Sequence, residues 1–333
     1  MSRLASPLNF PEITPEGFPP LEIEPEFDPA RHLALETPAD ILSLSDLGYD
    51  DEEIASCPSD FGVTSPFRLL SEEGATCMLE VCRLLEPHAK GNFRISRNVR
   101  GGVYQSKFLR ELCLSPDVAA FVSEVTGAPM LPHPMPHQLG HINYNPLTVG
   151  ENVDKWHTDT LRVDYVLFVT DPKTVDGGEF QFFRGTRQEM ADLRARGESV
   201  PADRIVSPDL PSNGYAVLQQ GNMVVHRAKG LNAPGERITM VSAYVPAEIG
   251  FPDFTRYDQL YLVDPKHACT AEYARQTAWM AGEMLRSQVE EPLYTEDREA
   301  YLARLRAARS VLDAAIGQIE SADSAVEEHF GDG

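Results

Sequence analysis

The sequence contains few of the features that mark membrane or secreted proteins. Only 5 of its 333 residues are cysteines, an odd number that lacks the spacing of a metal site or a disulfide framework. No apolar run approaches the roughly eighteen residues of a membrane helix. The amino-terminal residues also lack the apolar stretch of a secretion signal. We therefore expect a cytoplasmic protein that is not inserted in a membrane and works in a reducing environment.

Positive charge is scarce as well. Lysine and arginine total 29 residues against 51 aspartates and glutamates, which gives a formal net charge of −22. Nucleic-acid recognition normally needs a basic patch, so the composition predicts that nucleic acid is not a partner. An acidic surface would suit a cationic small substrate, but a merely solvated surface is the simpler interpretation.

The chain divides into three segments by composition. Residues 1–65 are rich in proline and acidic groups, which predicts an extended arm. Residues 66–265 predict one domain, with helices first and then a core of short strands at about 138–246. Residues 266–333 predict helices that end in an acidic tail. Many short strands separated by glycine and proline turns indicate a β-sandwich or barrel.

Local signals predict individual helices. Ser71 can cap a helix that continues to about His88. Further helices are expected over Lys107–Cys113, Ser115–Thr126 and, inside the strand-rich region, Arg187–Arg196. Two longer helices are expected in the last segment, over residues 271–288 and 297–319.

A His-x-Asp pair is followed much later by a single histidine. His157 and Asp159 are two residues apart, so on a strand both side chains would point to the same side. His226 ends the run Gly221–His226, which predicts a turn followed by a short apolar strand. Two imidazoles and one carboxylate can occupy one face of an Fe(II) ion and leave three positions open. Some hydrolytic zinc sites use similar ligands.

Eleven positions after His226, Arg237 and Thr239 share one face of another predicted strand. A guanidinium offers a planar fork that fits a carboxylate bidentately, and the hydroxyl adds a second donor. This pair predicts a binding site for a carboxylate.

In this order and spacing, these residues resemble those of the Fe(II)/2-oxoglutarate-dependent oxygenase superfamily. Members of that family bind iron through His-x-Asp/Glu…His. They hold the far carboxylate of 2-oxoglutarate on an arginine some ten residues beyond the second histidine. The resemblance covers roughly residues 138–246. It implies a mainly β fold, a double-stranded β-helix (jelly-roll, cupin-like) core with flanking helices.

The resemblance also implies cofactors and an activity. The implied metal ligands are His157, Asp159 and His226, and the implied 2-oxoglutarate contacts are Arg237, Thr239 and Asn143. With O2 as the other co-substrate, such a dioxygenase would hydroxylate an unactivated C–H bond and release succinate and CO2. A carboxylate at position 159 favours hydroxylation over halogenation, because related halogenases carry a small residue there. A small molecule, either an amino acid or a natural-product intermediate, is the expected substrate.

Four further residues are candidates for substrate contact. The strand before the metal loop carries Asn143 and Tyr144, and alternation lets only one of the two face inward. Trp156 precedes the first ligand and could line the pocket or simply pack in the core. Arg162 and Asp164 follow the second ligand and could meet a polar substrate or form a surface pair.

Three arginines, Arg94, Arg97 and Arg100, stand at a spacing of three upstream of the strand region. They could bind an anionic group of the substrate or offset nearby acidic residues, and we favour the second interpretation.

Two other classes of protein remain open. One is a jelly-roll metal-dependent hydrolase or isomerase that does not use 2-oxoglutarate, although such an enzyme has no need of the Arg237–Thr239 pair. The other is a non-catalytic binding protein of the same fold, although buried ligand residues without a metal would leave charge uncompensated. The arm and the carboxy-terminal helices are candidates for a homodimer contact.

Overall fold

The computed structural model describes residues 4–92, 94–252, 254–326 and 328–331, so the outermost residues of the predicted arm and acidic tail lie outside the described residues. The α-helices are α1 (Pro29–His32), α2 (Asp51–Ala55), α3 (Glu72–Leu85), α4 (Lys107–Cys113), α5 (Pro116–Thr126), α6 (Arg187–Arg196), α7 (Tyr257–Val263), α8 (Lys266–Glu290) and α9 (Arg298–Ser321). The first strands are β1 (Ile41–Ser43), β2 (Phe61–Thr64), β3 (Phe67–Arg68), β4 (Asn98–Val99), β5 (Met130–Pro132) and β6 (His141–Tyr144). The later strands are β7 (Asp154–His157), β8 (Val163–Phe168), β9 (Phe180–Phe183), β10 (Ile205–Val206), β11 (Tyr215–Gln219), β12 (His226–Ala228) and β13 (Ile238–Pro246).

The predicted helices form where capping residues start them. The Ser71 hydroxyl accepts a hydrogen bond from the Gly74 amide at 3.0 Å, which begins α3. Thr186 and Glu189 form a reciprocal capping box at the start of α6. The predictions for α3, α4, α5, α6, α8 and α9 are confirmed to within a few residues at each end.

Two antiparallel sheets form the centre of the described structure. The larger has nine strands in the order β1-β2-β11-β8-β13-β6-β4, with β3 beside β11 and β5 beside β13. The smaller has four strands in the order β10-β9-β12-β7. From β6 to β13 the chain alternates between the sheets, except that β9 and β10 pair with each other in the smaller one. Strands β6, β8, β11 and β13 are in the larger sheet, and β7, β9, β10 and β12 are in the smaller. This alternation is the double-stranded β-helix that the sequence predicted.

Strand alternation decides which side chains enter the space between the sheets. In the pairing of β6 with β13, Asn143 lies opposite Thr239, and Tyr144 lies opposite Ile238. Asn143 and Thr239 line a cavity between the sheets. Tyr144 and Ile238 point to the other side, into the hydrophobic core that packs under the helices. Of the two candidates on β6, Asn143 therefore faces inward.

Apolar clusters hold three layers together. One lies between the larger sheet and α3, α4 and α5, and includes Met78, Leu112, Phe121, Ile142 and Leu167. Another lies between the two sheets, and includes Val166, Phe168, Val217, Phe180 and Phe182. A third covers the outer face of the smaller sheet under α6, and includes Trp156, Phe183, Met190, Leu193 and Val225. The cluster between the two sheets borders the cavity, and its close packing holds the residues of the site in place.

One strand prediction was wrong in its position. The run Met223–His226 was expected to be a strand ending at the histidine, whereas β12 begins at His226. The amides of Met223 and Val224 both donate to the Gln220 carbonyl, which makes this segment a turn. Met223 and Val224 are buried between the sheets and Val225 is buried under α6, so a buried turn produced the same apolar pattern as a strand.

Part of the predicted arm contributes to the larger sheet, because β1 and β2 extend it beyond β11. The division of the chain into an arm, a catalytic domain and carboxy-terminal helices stays a prediction. Among the described residues, no helix combines the length and the apolar character needed to cross a bilayer.

A buried polar cluster ties α8 to the segment before β6. Glu272 is 4% exposed, and its carboxylate accepts from the Tyr104 hydroxyl at 2.8 Å and from the His137 amide at 2.9 Å. The His137 Nδ1 atom lies 2.6 Å from the same carboxylate. Burial, followed by the charge of Glu272, raises the pKa of Tyr104, so the phenol stays protonated and keeps donating.

Replacing Glu272 with alanine should destabilise the protein by about 3 kcal/mol, because Tyr104 and His137 would keep their burial and lose their acceptor. Urea denaturation would measure this change in the free energy of unfolding. The matched control is Glu320→Ala, at an exposed position of α9, which should change it by less than about 0.5 kcal/mol. Equal effects of the two substitutions would contradict the anchoring role of the cluster.

Candidate metal centre and carboxylate site

The three predicted metal ligands lie together at one end of the smaller sheet. Strand β12 pairs with β7 so that His226 stands opposite His157, and the two rings lie 4.2 Å apart. Asp159 follows the end of β7, where its amide donates to the Gly221 carbonyl at 2.8 Å. One ligand atom from each of the three residues lies within 4.8 Å of the others. The sequence prediction of a His-Asp-His group suited to a metal ion is confirmed in its geometry.

Backbone carbonyls orient both imidazoles. His157 Nδ1 lies 2.6 Å from the Lys155 carbonyl, and His226 Nδ1 lies 3.0 Å from the Val224 carbonyl. A carbonyl can only accept, so each Nδ1 carries the proton and each Nε2 faces the carboxylate of Asp159. The distances from Nε2 to Asp159 are 3.4 Å for His157 and 3.2 Å for His226. In the neutral imidazoles, the Nε2 lone pairs that a metal needs therefore converge on one point.

The electrostatics of this group also favour a cation. Burial by itself would raise the pKa of Asp159, but His226 and hydrogen bonds from both imidazoles hold it well below its usual range. Burial would likewise lower the pKa of His226, and the charge of Asp159 raises it above its ordinary value. Protonation of His226 Nε2, which Asp159 favours, would partly compensate the buried carboxylate. A divalent metal could replace that proton and compensate the buried charge more completely.

Gln219 is a site residue that the sequence analysis missed. It is fully buried at the end of β11, and its Nε2 atom lies 3.2 Å from Asp159 Oδ2 and 3.1 Å from Asp164 Oδ1. The same atom lies 3.2 Å from His226 Nε2. An amide that donates to the ligand carboxylate fixes its orientation, as is common around metal sites. A glutamine in a strand has no spacing signature, so only the fold could reveal this contact.

Gly221 lets the chain pass close to the carboxylates. A Cβ atom at this position would collide with Asp164 Oδ2 and would lie 2.9 Å from Asp159 Oδ2. From the sequence, Gly221 was expected only to begin a turn. Its structural role is the close approach of backbone to the buried acids.

Arg237 and Thr239 lie on the same cavity wall as the metal group. Arg237 is 2% exposed; its Nε donates to the Gly178 carbonyl at 2.7 Å, and its Nη1 lies 3.4 Å from the Thr239 hydroxyl. Burial lowers the pKa of Arg237 to about 10, still far above neutral pH. Within the described part of the chain, its guanidinium forms no ion pair with a carboxylate. A buried cation normally has a counter-ion, so this one is suited to an anionic ligand.

The glycine turn before β9 supports this arginine. Gly178 has a φ of +76°, and a Cβ there would lie 2.8 Å from Arg237 Cδ. The turn therefore needs glycine both for its backbone conformation and for the space taken by the arginine.

All three residues of the metal group line the cavity between the sheets. Asn143 lines it beside Thr239, and its Oδ1 atom is buried and has no hydrogen-bond partner among the described residues. Asn143, Thr239 and Arg237 thus form one polar part of the cavity wall, and the contact with 2-oxoglutarate that the resemblance implied stays a prediction.

Tyr144 and Trp156 lie away from the cavity. The Tyr144 hydroxyl donates to the Cys82 carbonyl at 2.6 Å on the helical side of the larger sheet. Trp156 is fully buried on the outer face of the smaller sheet, where the guanidinium of Arg227 lies 4.4 Å from its ring centroid. Both positions correspond to core packing, which was the alternative for Trp156. Neither position supports the predicted contact with substrate.

Arg162 and Asp164 are buried and do not line the cavity either. Arg162 donates to the carbonyls of Ser56 and Pro252 at 3.0 and 2.7 Å, and its guanidinium stacks on Phe254. Asp164 is fully buried beside Asp159, and burial followed by the charge of Asp159 raises its pKa well above the usual range. This shift favours the protonated form of Asp164, which would add no second charge to the metal group. The surface pair that the sequence analysis considered is not formed.

The three upstream arginines all face acidic residues. Arg94 and Asp154 approach to 2.6 Å, and Arg100 reaches Asp264 at 2.9 Å. Arg97 forms an ion pair with Glu86. The interpretation that these arginines offset nearby acids is confirmed.

Replacing Gly221 with alanine should weaken divalent-metal binding at least about tenfold, because the new methyl group would push Asp159 out of position. Anaerobic titration with Fe(II), followed by calorimetry, would measure the affinity. The matched control is Gly282→Ala on α8, where a Cβ would meet nothing within 4 Å. Unchanged affinity in the 221 variant, with the fold intact, would contradict the proposed geometry.

Comparisons with known proteins find similarity of fold alone. No protein-family model matches the chain, and no curated protein matches it. The non-heme α-ketoglutarate-dependent epimerase SnoN from nogalamycin biosynthesis is 18% identical over 60% of this chain and 87% of its own, with a TM-score of 0.44. EctD from S. alaskensis, solved with 2-oxoglutarate and 5-hydroxyectoine, is 16% identical over 68% and 83%, with a TM-score of 0.41. HygX from Streptomyces hygroscopicus, solved with nickel and 2-oxoglutarate, is 13% identical over 62% and 87%, with a TM-score of 0.39.

Proposed function

We propose that this chain is an Fe(II)- and 2-oxoglutarate-dependent oxygenase that hydroxylates an unactivated C–H bond of a small molecule. The observation that supports this best is Arg237, a buried guanidinium without a carboxylate partner among the described residues. It lines the same cavity as a group of side chains suited to a metal. A ligand that carries a carboxylate and also chelates a metal would satisfy both features at once.

In this proposal each residue has a defined task. His157, Asp159 and His226 would hold the iron, with Gln219 keeping the carboxylate of Asp159 in place. Fe(II), 2-oxoglutarate and O2 together supply oxidation of a C–H bond, with release of succinate and CO2. Arg237 and Thr239 would bind the far carboxylate of 2-oxoglutarate. Asn143 would offer a polar contact to the same co-substrate.

The remaining cavity wall would position the substrate and keep water out. The apolar residues Val166, Phe180, Val241, Leu161 and Leu260 line the cavity together with the polar groups. An apolar enclosure strengthens the electrostatic contacts made by Arg237 and Asp159. It also holds the reacting C–H bond close to the metal, which is the main contribution a protein makes to this chemistry.

Of the two expected substrate classes, the cavity favours a natural-product intermediate over a free amino acid. Arg94 and Arg100 line the cavity, but each already faces a carboxylate, from Asp154 and Asp264 respectively. Gln138 Nε2 and His141 Nε2 are buried on the same wall and have no hydrogen-bond partner among the described residues. Both nitrogens could donate to an oxygen atom of such a substrate.

The proposed cofactors can be tested by anaerobic titration with Fe(II) and 2-oxoglutarate, following the weak visible metal-to-ligand charge-transfer band. The wild-type protein should develop this band, and His226→Ala should lose it. Arg237→Ala should still bind Fe(II) but should need at least about thirtyfold more 2-oxoglutarate, because a charged pair is lost. The control is Arg83→Ala, an exposed arginine that pairs with Glu236.

Other outcomes would identify the alternatives. Iron binding without a 2-oxoglutarate-dependent band would indicate a metal-dependent hydrolase or isomerase. A failure to bind any divalent metal would indicate a non-catalytic binding protein. Normal 2-oxoglutarate affinity in Arg237→Ala would contradict the role given to that residue.

A further inference from the structure

Helix α9 exposes an apolar stripe to solvent. Leu302, Leu305, Leu312 and Ile316 are 38%, 52%, 41% and 54% exposed. With Arg309 they follow alternating spacings of three and four residues, which places them on one face of the helix. The side of α9 that carries Ala308 and Ala315 is buried. Four exposed large apolar residues at this spacing are typical of a helix that packs against a second helix.

The charge of α9 suggests what that second helix is. Residues 298–321 contain four arginines and three acidic residues, a net charge of +1 in a chain of net charge −22. The four arginines are Arg298, Arg304, Arg306 and Arg309, and the acidic residues are Glu299, Asp313 and Glu320. Two copies of so acidic a chain repel each other over most of their surfaces. Repulsion is reduced where their α9 helices approach, because this helix carries a net charge of +1.

The stripe is also self-complementary in the antiparallel direction. If two α9 helices cross at Arg309, Leu302 faces Ile316 of the partner subunit, and Leu305 faces Leu312 of the partner subunit. Arg306 then lies near Asp313 of the partner subunit, and two-fold symmetry repeats the contact. Arg309 meets its own copy, but each Arg309 Nε is already bonded to Asp313 at 3.0 Å within the same helix. A parallel pair would instead bring Arg306 against Arg306.

We propose that this face of α9 is the interface of an antiparallel, two-fold symmetric homodimer. The stripe from Leu302 to Ile316 is about 21 Å long at 1.5 Å per residue. A single helix pair buries less than the roughly 800 Å² per partner of a standard interface. Two exposed residues can extend it: Val289 near the end of α8, 79% accessible, and Tyr294 between α8 and α9, 91% accessible. A dimer of micromolar affinity is expected.

Sedimentation velocity on the full chain, between about 1 and 100 μM, tests this interface. The wild-type protein should shift from monomer to dimer across this range. The double variant Leu305→Glu/Leu312→Glu should raise the dimer Kd at least about 100-fold, because it places four like charges in the contact. The matched control is Ala303→Glu/Ala314→Glu, which adds the same charge at exposed positions on the other side of α9 and should dimerise normally.

A charge reversal tests the antiparallel direction. Asp313→Arg should weaken the dimer, and adding Arg306→Asp should restore it. Circular dichroism and Fe(II) binding should be unchanged in every variant, since no substitution touches the cavity. A wild-type protein that stays monomeric at the highest concentration would overturn the proposal. A dimer that survives the double glutamate variant would overturn it too.

Discussion

A buried carboxylate held between two imidazoles is the interaction on which the centre of this structure depends. Asp159 stays anionic inside the protein because the Nε2 atoms of His157 and His226 face it from both sides. That arrangement requires β7 and β12 to be neighbours in the smaller sheet, with the two histidines opposite each other. The register between β7 and β12 is therefore stabilised by these electrostatic contacts as well as by apolar packing. A slip of one residue would turn a histidine outward and leave the carboxylate without its partners.

The second buried charge, on Arg237, has no such internal partner among the described residues. Its hydrogen bonds go to the Gly178 carbonyl and the Thr239 hydroxyl, which hold the guanidinium in place without neutralising it. The walls of this cavity thus carry two buried charges. The carboxylate of Asp159 is nearly balanced by its imidazole neighbours, whereas the guanidinium of Arg237 is not balanced among the described residues. Burying an uncompensated cation reduces stability. Retaining it there is consistent with a site whose stabilising partner is a bound anion.

Much of this site could be predicted from sequence, because short spacings carry its main residues. His157 and Asp159 are two residues apart, as are Arg237 and Thr239, and alternation along a strand brings each pair to one side. Gln219 and Asp164 could not be identified in the same way. They reach Asp159 from strands β11 and β8, whose pairing opposes residue 219 to residue 164. A contact made across a sheet depends on register, and one sequence does not reveal register.

The errors have physical reasons as well. The apolar run before His226 resembled a strand because it is buried, and burial was mistaken for extended backbone. Tyr144 and Trp156 were considered for the pocket because they adjoin Asn143 and His157 in sequence. Adjacent residues of a strand point to opposite faces of the sheet, so a residue next to Asn143 or His157 should face away from the cavity. Tyr144 packs under the helices and Trp156 packs under α6.

The helices beyond the sheets connect the outer surface with the cavity. Leu260 and Val263 of α7 line the cavity. Leu260 also belongs to an apolar cluster with Ala315 of α9. Arg100 lines the cavity and is bonded to Asp264, at the end of α7. The exposed face of α9 is thus separated from this wall of the cavity by one layer of packed helix.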